Sequence, residues 1–292
     1  MNQRASSVGD LAASVLARGT NGEVTRVFER SAYVKAGDDF ILLLWGALRS
    51  PITVNLTGPG AKRLKVGERC ALSPGRIAFD SWTVEVGGAE VYRSLLLERR
   101  DVRVPPASSF VRGVSFLRVL YDASPSGPSL ASDAELRRFA LGALTALAAG
   151  REDGVRSVEN YRSLIGRGGG FTPAGDDFVG GLLSTYNYIA RCKGSREILI
   201  PLRRLRPRTI PESAALLAYA SKGYVDEGIG SLILKTLSGS SEFTDELLTV
   251  ARRGHTSGLD MALGILLVEA ALCDSARRGR ALERCLEVLW HQ

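Results

Sequence analysis

The hydrophobic period of this chain changes once, between residues 104 and 132, and that change constrains the fold more than any other feature. Before it, apolar residues come in short runs of strand length; after it, they recur at helical spacing. The runs at 24–28, 33–35, 40–45, 52–56, 69–72, 77–79, 82–86 and 90–92 are mostly rich in β-branched and aromatic residues. Gly, Pro, Asn and Asp separate them at close spacing, which predicts an antiparallel β-rich domain, a small barrel or sandwich, over 1–103. Gly37-Asp38-Asp39 and Val86-Gly87-Gly88-Ala89 read as hairpin turns. Asp38 and Asp39 are therefore turn residues before they are metal ligands.

Residues 104–131 hold Pro105-Pro106 and Ser124-Pro125-Ser126-Gly127-Pro128 and read as a linker around one apolar segment, 110–121. Residues 132–292 read as a mostly helical domain, with Ser132 as N-cap of the first helix. Helices are expected at 133–149, 155–165, 176–191, 212–221, 230–237, 244–252, 259–276 and 280–289. The fold class is α+β.

With 45% apolar and 24% charged residues among 292, the chain has the composition of a globular protein with a real core. It has no run near the ~18 apolar residues that cross a bilayer. The first 22 residues lack a secretory pattern. Four cysteines without a CxxC pair and two histidines without zinc spacing predict free thiols and a cytoplasmic protein. The net charge of +7 comes from 32 arginines and only six lysines. Few amides and abundant charge suggest a thermophile, although a high arginine share also follows from genomic base composition. The basic residues are dispersed, apart from 203–208, and no aromatics interleave them, so nucleic acid is not the expected partner.

The chemistry concentrates in Gly166-Arg167-Gly168-Gly169-Gly170-Phe171-Thr172-Pro173-Ala174-Gly175-Asp176-Asp177, which runs into an apolar helix. Glycines let the backbone turn sharply and approach a ligand. Thr172 as N-cap with Pro173 at the first helical position is a helix start, whose N–H groups and dipole suit phosphate or carboxylate. Neither a Walker A nor a dinucleotide pattern is present. The plainer alternative is a glycine-rich turn in which Asp176 and Asp177 only complement the helix dipole.

Gly254-His255-Thr256-Ser257-Gly258-Leu259-Asp260 opens a second helix. His255 is the candidate acid/base, while Ser257 and Asp260 are spaced like a capping box. The two stretches align: Thr172, Asp176, Gly180 and Leu182-Leu183 match Thr256, Asp260, Gly264 and Leu266-Leu267. Positions i, i+4 and i+8 share a helix face, so Gly180 and Gly264 are expected at a close helix contact, with both helix starts converging on one ligand. A third feature is Thr209, placed to cap a helix with Pro211 and Glu212 behind it. Arg208 beside it is a candidate carboxylate ligand.

The segment Gly168-Gly169-Gly170-Phe171-Thr172-Pro173-Ala174-Gly175-Asp176-Asp177-Phe178-Val179-Gly180-Gly181-Leu182 resembles the signature of AllH-type subunits of oxamate carbamoyltransferase, a family long labelled a domain of unknown function. Gly223-Tyr224, Gly254-His255-Thr256-Ser257-Gly258 and the strand at 22–30 continue the resemblance, and Ala174 departs from the family's usual serine. The resemblance implies a carbamoyltransferase of purine-ureide breakdown, in which oxalurate plus phosphate gives oxamate plus carbamoyl phosphate. It also implies companion transferase subunits.

On that reading Gly168, Gly169, Gly170, Thr172, Gly175, Thr256, Ser257, Gly258 and Asp260 bind the small anionic substrate. Arg167 or Arg208 takes the oxamate carboxylate, and His255, Asp177 and Asp176 are the catalytic candidates. Asp176 and Asp177 are also the candidate Mg²⁺ ligands. Two readings compete. One is a Mg-dependent small-molecule phosphotransferase, which lacks a lysine after the loop; the other is a non-catalytic ligand-binding or assembly subunit.

Overall fold

The computed structural model describes residues 2–58, 64–96, 102–103, 105–123, 130–148, 161–240, 243–254, 256–277 and 279–290. The chain forms two compact units. One holds everything up to Leu95 together with Val225–Glu227; the other holds Leu96–Tyr224 and the chain from Gly228 onward.

The first unit is a closed barrel. Its elements are β1 (Asn2–Gly9), α1 (Asp10–Ala17), β2 (Asn21–Val27), β3 (Ser31–Ala36), β4 (Asp39–Leu44), β5 (Thr53–Leu56), β6 (Arg69–Ser73), β7 (Arg76–Phe79), β8 (Thr83–Glu85) and β9 (Glu90–Tyr92). The order β5-β4-β3-β2-β6-β7-β8-β1 closes by pairing β5 with β1, and β9 is added along β1. Closure removes the open edges that a sheet this size exposes. Val24, Val34, Ile41, Leu43, Val54, Ile77 and Val84 are fully buried inside it.

All eight strands read from the sequence are present. Most pairs are antiparallel, but β1–β8, β1–β9 and β4–β5 are parallel. The turn after β3 is the expected hairpin, with Ala36 opposite Asp39. The Val86–Ala89 turn is not. It closes on itself (Ala89 N–H to Val86 O, 3.0 Å), but β8 and β9 lie one after the other along β1: Gln3 faces Val84 and Val8 faces Val91. The turn therefore steps the chain along a single partner strand rather than reversing it.

The second unit is helical: α2 (Ala107–Ala123), α3 (Ala134–Ala148), α4 (Ala174–Cys192), α5 (Leu202–Leu205), α6 (Pro211–Ala220), α7 (Glu227–Thr236, of which Glu227 belongs to the first unit), α8 (Thr244–Ala251), α9 (Ser257–Arg277) and α10 (Ala281–Trp290). The apolar segment inside the expected linker is α2, and it belongs to this core. Phe110, Val114 and Leu117 are fully buried, at the four- and three-residue spacing of one helix face. The cap of α3 is Asp133 rather than Ser132, since Asp133 Oδ1 accepts the Glu135 and Leu136 N–H groups at 2.9 and 3.0 Å. Most of the helix expected at 155–165 lies outside the described residues.

At the centre, α4 and α9 cross backbone to backbone. A Cβ on Gly181 would lie 2.1 Å from Met261 O, and one on Gly264 would lie 2.2 Å from Phe178 O. Gly180, expected at this contact, is not part of it; a Cβ there would meet Met261 Cε at an ordinary 3.8 Å. Asn187 holds the far half of α4, donating to Ile198 O and Ser221 O at 2.9 and 2.7 Å and accepting the Ile198 N–H at 2.7 Å.

Candidate functional site

The glycine-rich loop reaches α4 through three positive-φ glycines, Gly166 (81°), Gly168 (95°) and Gly170 (100°). A Cβ on Gly168 would lie 2.8 Å from Ala174 Cβ and 3.2 Å from Leu136 Cδ1, so the loop folds back onto the helix it precedes. Pro173, not Thr172, is the N-cap residue of α4, and no side chain caps that helix. Freed from capping, the Thr172 hydroxyl donates to Asp177 Oδ2 at 2.9 Å and stands 2.9 Å from Ser257 Oγ. That second contact joins the starts of α4 and α9 across 85 residues of sequence.

The adjacent aspartates do different work. Asp176 is buried and saturated. Its Oδ1 accepts the Gly166 N–H at 2.7 Å, and its Oδ2 accepts the hydroxyls of Ser213 (2.6 Å) and Thr209. Thr209 is therefore a tie to Asp176 rather than a helix cap; the N-cap residue of α6 is Ile210. Burial raises the Asp176 pKa, against the Ser213, Thr209 and Gly166 hydrogen bonds.

Asp177 faces the other helix. Burial pushes its carboxyl up to about 8, Ser257 and Thr172 pull it down, and the charges of Asp260 and Asp176 add to the rise. Because Asp176 and Asp177 enter separate hydrogen-bond sets, they do not fit a chelating pair for Mg²⁺. Among the described residues no group of three His, Cys, Asp or Glu forms a metal cage.

Asp260 is the counterpart of Asp177 on α9. It does not complete a capping box; its Oδ1 accepts the Tyr121 hydroxyl at 2.8 Å and the Leu130 N–H at 3.0 Å. Burial pushes it up to about 7 against the Tyr121 and Leu130 donors and the Thr256 hydroxyl, and burial also keeps the Tyr121 phenol protonated and donating. Asp260 Oδ2 has no hydrogen-bond partner although the residue is fully buried.

The internal repeat is present with its register moved by one residue. Gly175, Asp177, Gly181 and Leu183 correspond to Gly258, Asp260, Gly264 and Leu266. The contacts are reciprocal in that register: Gly181 lies on Met261 and Ile265, and Gly264 lies on Phe178 and Leu182, the matching residues. The two glycines at the helix starts behave alike as well. The Gly175 N–H donates to Arg167 O (2.9 Å) and the Gly258 N–H to Arg253 O (3.0 Å).

The remaining candidates lie apart from this centre or beyond what the structure describes. The Arg167 guanidinium pairs with Glu135 at 2.7 Å and lies over the Phe139 ring at 4.9 Å. Arg208 donates to Arg162 O at 3.2 Å and is exposed. His255 lies outside the described residues. Tyr121 and Leu130 join the site without having been singled out in the sequence.

A family model described as oxamate carbamoyltransferase subunit AllH matches residues 164–269. The resemblance carried by the glycine-rich segment is thereby borne out, and both helix starts fall inside the matched stretch. No curated protein and no solved structure matches the chain. Among the described residues no helix is long and apolar enough to cross a membrane.

Proposed function

Since residues 164–269 match the oxamate carbamoyltransferase subunit AllH, we propose that this chain is a carbamoyltransferase-type subunit acting on oxamate or oxalurate and on phosphate or carbamoyl phosphate. It works with companion subunits. The observation that carries the proposal is the Thr172–Ser257 contact, which gathers two helix starts around Asp177 and Asp260 inside the matched segment.

The reaction needs a base. In the direction of oxalurate synthesis the oxamate nitrogen forms a bond to the carbamoyl carbon, the bond from that carbon to the phosphate oxygen breaks, and the proton lost from nitrogen ends on phosphate. An amide nitrogen is a poor nucleophile until that proton leaves, and an ordinary carboxylate is too weak a base to help much. A carboxyl lifted to about 8 is nearer the operating range. Asp177 is assigned that role, with Asp260 beside it and Asp176 bracing the loop through Gly166. The loop at Gly168, Gly169 and Gly170, with Thr172, Gly175, Thr256, Ser257 and Gly258, forms the wall, and Arg167 or Arg208 takes a substrate carboxylate. His255 is the second acid/base candidate.

The test is phosphate-dependent cleavage of oxalurate by the chain together with its companion subunits, comparing wild type with Asp177→Asn. Loss of kcat by two or more orders of magnitude in an intact assembly is the expected result. Full activity in the variant would leave the chain as an assembly subunit.

A further inference from the structure

The polarity of this centre is the opposite of what a helix-start anion site presents. Five N–H groups at the two starts are spent within their own segments: Gly175 on Arg167 O, Asp176 and Asp177 on Pro173 O, Gly258 on Arg253 O and Asp260 on Thr256 O, all between 2.8 and 3.1 Å. The Thr172 proton goes to Asp177, so the Ser257 proton is turned toward Thr172 or toward Asp177 itself. Arg167 is held by Glu135, and Arg208 by Arg162 O. What the side chains between the two helix starts offer is acceptor capacity: the Asp177 carboxyl and Asp260 Oδ2. The latter is fully buried, has no hydrogen-bond partner, and belongs to a carboxyl close enough to Asp177 to act on its charge. A buried acceptor left unmatched costs on the order of 1–3 kcal/mol, which a donor from a ligand returns.

We infer that Asp177 and Asp260 form an acceptor pole that binds the –NH₂ end of a ligand, a primary amide or carbamoyl group, and not its phosphate or carboxylate. The inference rests on the carbamoyltransferase reading and narrows it, because it orients the substrate. The amide nitrogen enters between α4 and α9, and the anionic end points outward to the loop wall. Tyr121 and the Leu130 N–H are the positioning groups, fixing Asp260 by Oδ1 so that Oδ2 stays available.

Oxamate and oxalate differ at this end alone: oxamate carries –NH₂ where oxalate carries a second carboxylate. The experiment is calorimetric titration of the full chain with each, at a pH of about 8.5, above the usual carboxylate range. Wild type is expected to bind oxamate at least about tenfold more tightly than oxalate, since one charge-assisted hydrogen bond is gained and one like-charge contact avoided. Asp177→Asn and Asp260→Asn each place an N–H donor at the pole. Each should shift the preference toward oxalate by about tenfold or more, with circular dichroism confirming the helical content.

Equal affinities in wild type, binding of neither ligand, or a preference that both variants leave unchanged would overturn the assignment. The two ideas fail separately. Carbamoyl transfer without amide selectivity would sink the acceptor pole and leave the function standing. Selectivity in a complex with no transfer activity would do the reverse.

Discussion

Gly181 and Gly264 each press on the other's helix: a Cβ on Gly181 would lie 2.1 Å from Met261 O, and one on Gly264 would lie 2.2 Å from Phe178 O. Both neighbours are backbone, so neither can turn aside. Gly181→Ala and Gly264→Ala are each expected to destabilise the helical unit by roughly 3 kcal/mol or more, because the helices must separate and the packing around them loosens. Gly180→Ala is the control. It meets only side-chain atoms at 3.8 and 3.9 Å, so its expected effect lies within about 1 kcal/mol of zero, helix propensity favouring alanine. Urea unfolding of the three variants checks the ordering.

The contact also explains how the repeat was legible and why its register was not. Asp176-Asp177 and Gly180-Gly181 are doubled, so Asp260 and Gly264 align equally well with the first or the second member of each pair. Sequence cannot choose between the two registers; the helix crossing does, and it selects Asp177 and Gly181. The barrel strands were legible because their β-branched runs alternate against turn residues. β1 was not, since Asn2–Gly9 has one β-branched residue and draws its place from pairing with β5, β8 and β9. Tyr121 and Leu130 lie 139 and 130 residues from Asp260, in a stretch whose Pro, Ser and Gly content points to a linker, and no local pattern announces a contact of that range.

Thr172 and Ser257 set the charge state of Asp177, and their removal should register in the pH profile of catalysis. Both favour the ionised carboxylate, so losing either raises the Asp177 pKa further above its present value of about 8. Thr172→Val and Ser257→Ala are each expected to move the acid limb of kcat/KM upward by about one pH unit, the worth of one hydrogen bond to a charged group. A loss of activity uniform across pH would instead mean that the hydroxyls hold substrate and do not tune the base.

Asn187 closes a loop onto α4 with three hydrogen bonds from a fully buried side chain. Asn187→Ala leaves the Ile198 N–H and two carbonyls without partners and opens a void. The expected cost is about 3 kcal/mol or more, measured by denaturant unfolding. Asn187→Asp should be no better, since it restores an acceptor for Ile198 while facing two carbonyls with a charge.

Glu269, in the middle of α9, is a fully buried carboxyl with one hydrogen bond, from the Thr236 hydroxyl at 2.7 Å. Burial pushes it from 4.5 up to about 8, so the folded protein keeps this proton over a range where the unfolded chain has released it. Folding then takes up a proton, and stability falls as pH rises between those two values, by roughly 1.4 kcal/mol per pH unit for this group. Below the range both states are protonated and above it both are ionised, so the slope vanishes at either end. Asp177 and Asp260, also raised by burial, act with the same sign. Glu269→Gln keeps the Thr236 hydrogen bond without a titrating proton. The variant should match wild type at pH about 4 and gain on it by roughly 1.4 kcal/mol per unit up to neutrality. Urea unfolding at about pH 5, 6 and 7 measures the gap directly; parallel stability curves for the two proteins would mean that Glu269 ionises in the folded state as freely as in the unfolded chain.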